Sequence, residues 1–129
     1  LKKYLVSAAL IALMAACGGE TEKKEESEKP AEPAVTDVSA NPDYKAGLAL
    51  IAKSDCLTCH KVAEKLIGPA YQDVANKYAG QDTAIAYLSK KIIEGGSGVW
   101  GAIPMSAHPQ LAQADVEQMV KYILLLKTN

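Results

Sequence analysis

Cys56-Leu57-Thr58-Cys59-His60 places two thiols three positions apart with an imidazole directly behind them. On a helix end or a turn, both thiols can reach the two vinyl-derived carbons along one edge of a porphyrin. The histidine is then held beneath the iron as its proximal ligand. Thioether links of this kind prevent loss of the ring without bond breakage. Two other chemistries use paired cysteines. A thioredoxin-like CxxC requires a βαβ setting, and no such pattern surrounds this one. A zinc site requires a second pair of ligands, and the only other histidine is His108. The pentapeptide therefore reads as the attachment site of one covalent haem c through Cys56 and Cys59, with His60 on the iron.

A second axial ligand is to be sought among the methionines, whose soft thioether binds haem iron and raises its reduction potential. There are three. Met14 falls in an apolar leader. Met119 lies on the apolar face of the last expected helix, where core packing is its natural role. Met105 follows Pro104 at the end of a glycine-rich stretch, Gly95 to Pro104, able to wrap closely round a flat ring. Met105 is the expected sixth ligand. His108 is a rival three residues on, but Pro109 and polar neighbours suggest a surface loop.

The elements that must position these residues are helical throughout. Asn41-Pro42-Asp43 is a helix start: a capping residue, Pro at the first helical position and an acid in the first turn. That helix runs through Ala46, Leu48, Leu50 and Ala52 to the cysteines. Pro69 is expected to open a second, short helix through Tyr71, Val74, Ala75 and Tyr78, stopping at Gly80. Asp82 is expected to cap a third through Ile85, Leu88, Ile92 and Ile93, with Gly95 as its stop. Residues 94–104 read as a loop. Val116, Met119, Val120, Ile123 and Leu124 give the last helix an apolar face, with no strong N-cap before it. No stretch alternates like a strand.

The remaining chain divides by composition. Lys2 and Lys3 precede an apolar run from Leu5 to Ala16, too short for a comfortable membrane span and ended by small residues. Residues 1–16 therefore read as a signal segment. Ala15-Ala16-Cys17 resembles a bacterial lipoprotein signal, with Cys17 as the lipidated residue, although Met14 stands where such signals usually carry Leu, Val or Ile. Residues 17–41 read as a flexible acidic linker rich in Glu, Lys, Pro and Ala, unable to bury enough apolar surface to order itself. Residues 42–129 are the folded domain. The chain has 129 residues, 14 lysines, no arginine and 15 acids, so nothing suggests nucleic acid. Aromatic content is only 5% and Phe is absent, less than a core of this size ordinarily uses. A large apolar cofactor reduces that need.

The pentapeptide, Gly68-Pro69-Ala70-Tyr71, Val99-Trp100-Gly101-x-x-Pro104-Met105 and a closing helix with Tyr122 together resemble the short class I bacterial cytochromes c, of the c-551/c-552 type. The resemblance covers about residues 42–127. It implies an all-α class I cytochrome c fold, three main helices and a short one around the haem. It implies that the Pro69 carbonyl accepts the Nδ1–H of His60 and that Trp100 donates its indole N–H to a propionate. Lys91 falls where a basic residue, commonly Arg, stands near a propionate; Lys keeps the charge and loses the planar fork. Gly47 and Tyr122 match the crossing of first and last helices.

A haem held between His60 and Met105 in an apolar shell suits one-electron transfer and offers no substrate site. The expected function is a non-enzymatic electron carrier, monomeric and without a small-molecule substrate. Its expected partners are a quinol-oxidising complex and a terminal oxidase or reductase, met by weak docking at the haem edge with Lys61 and Lys91 nearby. Two other readings stand beside it: a cytochrome subunit permanently docked to an oxidase or reductase, and a peroxidase or ligand-binding protein with a labile Met105. The leader and the haem attachment together imply an extracytoplasmic, periplasmic-side lipoprotein held at a membrane by Cys17.

Overall fold

The structure, a computed structural model, describes residues 37–128. The expected signal segment, Cys17 and most of the expected linker lie outside the described residues. Four helices carry the fold: α1 (Pro42–Ala52), α2 (Tyr71–Tyr78), α3 (Ala84–Glu94) and α4 (Gln113–Leu125). Three are long and α2 is short, as expected. Short 3-10 turns at Val38–Ala40 and Asp55–Thr58 precede and follow α1. Among the described residues no helix is long and apolar enough to cross a membrane.

The start of α1 is set by its own sequence. Asn41 is extended, its side chain accepts from the Asp43 N–H at 2.8 Å, and Pro42 takes the first helical position. Such a cap contributes about 1 kcal/mol. α4 is the hub, packing against α1, α2 and α3. Its inward face presents Val116, Met119, Val120, Tyr122 and Ile123, all buried. Ile51 of α1, Tyr71, Val74 and Tyr78 of α2 and Ala84 of α3 complete the core. Ala112 stands at the N-cap of α4 and supplies no side-chain bond, as the sequence implied.

Gly47 and Tyr122 do meet where α1 crosses α4. A Cβ at Gly47 would overlap the Tyr122 Cβ and stand 2.5 Å from the Gln118 carbonyl oxygen, so only glycine lets the backbones approach this closely. The crossing is pinned by Gln118 Nε2, which donates to the Asp43 carbonyl at 3.1 Å and carboxylate at 3.0 Å. The Tyr44 and Tyr122 rings add an edge contact at 5.0 Å.

Three local expectations need correction. Pro69 does not begin α2; the helix starts at Tyr71 with Ala70 before it. Its first N–H groups are satisfied by distant carbonyls, Tyr71 N–H by Lys61 at 2.9 Å and Gln72 N–H by Val62 at 2.9 Å. Asp82 is not the cap of α3; Thr83 holds that position with helical dihedrals and no side-chain bond, because a turn from Tyr78 to Ala84 already leads the chain in. The stretch read as loop contains a small antiparallel hairpin, β1 (Gly96–Gly98) and β2 (Gly101–Met105), with Val99–Trp100 at its tip. It pairs Gly96 with Met105 and Gly98 with Gly101. Gly98 (φ 98°) and Gly101 (φ 122°) adopt left-handed backbone that side-chain-bearing residues resist, so glycines rather than alternation make the pairing.

Candidate haem and iron centre

A cavity of about 390 Å³ opens between the cysteine turn, α2, α3, α4 and the hairpin. Cys56, Cys59, His60, Pro69, Lys91, Trp100 and Met105 all line it. The seven residues singled out on the domain are thus brought to one place, from stretches up to 49 positions apart (105 − 56).

The two thiols sit on and just after a single turn of 3-10 helix. Cys59 and His60 both donate their backbone N–H to the Cys56 carbonyl, at 3.2 and 3.0 Å. Thr58 Oγ1 donates to the Asp55 carbonyl at 2.6 Å and closes the turn. Both cysteines are half-buried and unbridged. Burial, and next the Asp55 carboxylate, push the Cys56 thiol up from its ordinary range, so it stays neutral. That environment opposes thiolate metal binding, and no group of three or more His, Cys, Asp or Glu is arranged to hold a metal ion among the described residues.

His60 is fixed from three sides. Its Nδ1 lies 2.8 Å from the Pro69 carbonyl oxygen. With the proton on Nδ1, that carbonyl accepts it and leaves Nε2 as the free basic nitrogen. Tyr71 stacks on the imidazole at 5.3 Å with 17° between the planes. Burial holds the Tyr71 phenol far above the usual tyrosine range, with smaller contributions from Cys56 and Tyr122, so it is a neutral wall. Gly68 presses the ring from below: a Cβ there would overlap Cε1 and lie 2.8 Å from Nδ1 and 2.9 Å from Nε2. The sequence reading missed this steric role. The one available signal was the glycine preceding the carbonyl-supplying proline.

Met105 ends β2, half-buried, at the hairpin's base. Beside it Gly95 approaches the Met105 backbone so closely that a Cβ would stand 2.6 Å from that carbonyl oxygen. Trp100, at the tip, lies with its ring 5.5 Å from Lys77 Nζ, a contact with no signature in the sequence. The Lys91 stem runs beside Gly96 and its ammonium lies 5.6 Å over the Tyr87 ring. His108 borders the cavity with Nδ1 3.8 Å from Asp55 Oδ1. Met119 also touches the cavity but is 2% exposed within the core.

The lining fits a covalently held haem. It is mostly apolar, and Ile67, Val99, Trp100 and Ile103 around it are 38–65% exposed. Large apolar side chains gathered at one opening call for a partner that covers them, and a flat ring bonded to Cys56 and Cys59 would do so. His60 and Met105 would be the donors to its iron, a nitrogen and a soft sulfur from opposite ends of the chain segment.

Comparison with known proteins shows the family. The family model described as cytochrome c matches residues 44–127. Cytochrome c-552 of Nitrosomonas europaea is 45% identical over 83 residues, 64% of this chain and 81% of that protein. Cytochrome c-551 of Allochromatium vinosum is 41% identical over 91 residues, 70% of this chain and 97% of that protein. The crystal structure of the wild-type Nitrosomonas europaea cytochrome superposes with a TM-score of 0.59, covering 62% of this chain and 99% of that one.

Proposed function

The chain belongs to the cytochrome c family, with one covalently attached haem c, and we propose that it carries single electrons between an extracytoplasmic quinol-oxidising complex and a terminal oxidase or reductase. The haem supplies an iron that alternates between ferric and ferrous states. The protein's own part is to hold that iron in one ligand set through both states, so that little must reorganise when an electron passes.

The observation that carries this reading is the fixed imidazole of His60. Its Nδ1 is committed to Pro69 at 2.8 Å while Tyr71 and Gly68 confine the ring, so Nε2 is presented to the cavity in one tautomer and one orientation. Met105 on the same cavity gives the second ligand, and its thioether favours the reduced state and a fairly positive potential. Held by His60 and Met105, the iron would offer no place to peroxide or a small substrate, which favours a non-enzymatic carrier. Lys91 and Trp100 are the groups we assign to the propionates, as a cation and an N–H donor at the cavity mouth.

Docking would be weak and brief, at the exposed segment following His60. Leu66 is about half exposed there, as is Leu57 just before His60. Lys61 is already paired with Glu64 at 3.1 Å, so its free charge toward a partner is reduced. Cys17, carrying lipid, would tether the domain to a membrane on the periplasmic side, and the acidic linker would give it reach.

Met105→Ala tests the ligand set. In the ferrous holoprotein the variant should bind carbon monoxide and lose the weak far-red band of a ferric iron–Met bond. An unchanged six-coordinate spectrum would assign the ligand elsewhere. Cys17→Ala should release the full-length protein from membranes, and firm retention would sink the lipid anchor.

A further inference from the structure

The hairpin that ends in Met105 is held unevenly. Its base is tied to α3, through the close packing of Gly95 on the Met105 carbonyl and the Lys91 stem along Gly96. Among the described residues no helix packs extensively along its strands. Its tip, Val99–Trp100, is flanked by Gly98 and Gly101 in left-handed backbone with open space around both. Glycines there allow the tip to swing at little cost.

Lys77 of α2 reaches that tip. Its Nζ lies 5.5 Å from the Trp100 ring centroid and 5.8 Å from the Tyr78 ring. Asp73 stands four residues earlier on the same helix, the spacing at which an acid and a lysine pair readily. Yet Lys77 forms no ion pair among the described residues; the ammonium lies over the two rings instead. Tyr78 is buried in the core, so the lysine rests on a core ring on the α2 side and clasps the indole on the hairpin side.

We infer that Lys77 is a positioning residue for Met105: its ammonium clasps Trp100 and keeps the hairpin closed over the cavity, so that the thioether stays on the iron. This rests on the reading of Met105 as axial ligand. An exposed cation–π contact is at the weak end of its range, so its loss should raise the open population about two- to fivefold.

The test uses the full-length ferric holoprotein and imidazole, which binds iron only when the methionine leaves. Lys77→Gln should bind imidazole about two- to fivefold more tightly than wild type, and Lys77→Arg should return close to it. Amide exchange at Ala102 and Ile103 should quicken by the same factor in Lys77→Gln, while α1 and α4 amides keep their rates. Unchanged imidazole affinity in Lys77→Gln, alongside ready binding by Met105→Ala, would overturn the clasp while leaving the ligand reading intact. Equal acceleration of exchange in α1 and α4 would also overturn it, by reducing Lys77 to a general stabiliser. If Met105→Ala itself bound imidazole no better than wild type, the ligand reading would fail, and unchanged exchange at Ala102 and Ile103 would then decide against the clasp separately.

Discussion

Gly68→Ala is the smallest change that reaches the imidazole. Gly68 does not have a left-handed φ, so alanine fits its backbone and the effect must be steric. The added Cβ would overlap His60 Cε1 and lie 2.8–2.9 Å from both ring nitrogens, where ordinary contact begins near 3.4 Å. The ring must withdraw by roughly 1 Å. Overpacking of a confined site costs about 1–3 kcal/mol. Withdrawal also stretches the 2.8 Å bond from His60 Nδ1 to Pro69 beyond useful length, about 1 kcal/mol more. The sum is about 2–4 kcal/mol, and for a domain of this size the melting temperature should fall by roughly 10–25 °C.

Thermal unfolding of the holoprotein measures the cost, and the ¹⁵N shifts of the His60 ring report the lost hydrogen bond. Gly80→Ala is the control. That position has φ 88° and open space, so alanine costs about 1–2 kcal/mol of backbone strain and should leave the His60 signals unmoved. A melting temperature for Gly68→Ala within about 3 °C of wild type, with unshifted ring nitrogens, would refute the argument that Gly68 fixes the imidazole.

Two further outcomes follow from burial. The Ser89 hydroxyl on α3 is fully buried with no hydrogen-bond partner among the described residues, so Ser89→Ala should stabilise the protein by about 1 kcal/mol, read as a rise in denaturation midpoint; a loss of stability would mean the hydroxyl has a partner. Burial raises the phenols of Tyr71, Tyr78 and Tyr122 above their ordinary value of 10.0. Above about pH 10 the unfolded chain releases these protons first and binds fewer than the native state, so stability falls as pH rises. Tyr71→Phe should make that alkaline fall shallower by about one proton, measured by denaturant unfolding between pH 9 and 11, and an unaltered slope would contradict the burial argument.

What the sequence disclosed follows from where each signal resides. The cysteine–histidine pentapeptide is legible because its spacing is itself the chemistry, and the structure places it on the single turn that spacing needs. The start of α1 is legible because Asn41, Pro42 and Asp43 act on one another. The start of α2 is not, because Tyr71 and Gln72 find acceptors ten residues earlier. Proline and acid signals are local, and a carbonyl arriving from elsewhere leaves no trace beside the helix it caps. The hairpin was hidden for a different reason. Strands are recognised by alternation of apolar residues, and Gly96–Gly98 offers no apolar side chain to alternate, only that of Ser97. The meeting of Lys77 with Trp100, across 23 positions (100 − 77), depends on where the fold brings α2 and that hairpin's tip, and nothing local to either residue announces it.

The same arrangement explains how an exposed segment can build a precise site. Residues 61–67 are all exposed, so hydrophobic burial does not order them. Main-chain bonds do. The Gly68 N–H donates to the Cys59 carbonyl at 2.8 Å, His60 engages Pro69, and the Lys61 and Val62 carbonyls receive the first two N–H groups of α2. The loop thus serves as the cap of α2, and α2 in turn is buried on α4 through Tyr71, Val74 and Tyr78. Core stability reaches the imidazole through backbone groups that every residue except proline carries whole. Apart from Lys65 and Ile67, which line the cavity, the side chains at 61–67 are therefore left free. Gly68 and Pro69 are not: one must lack a Cβ, and the other must hold its carbonyl toward His60.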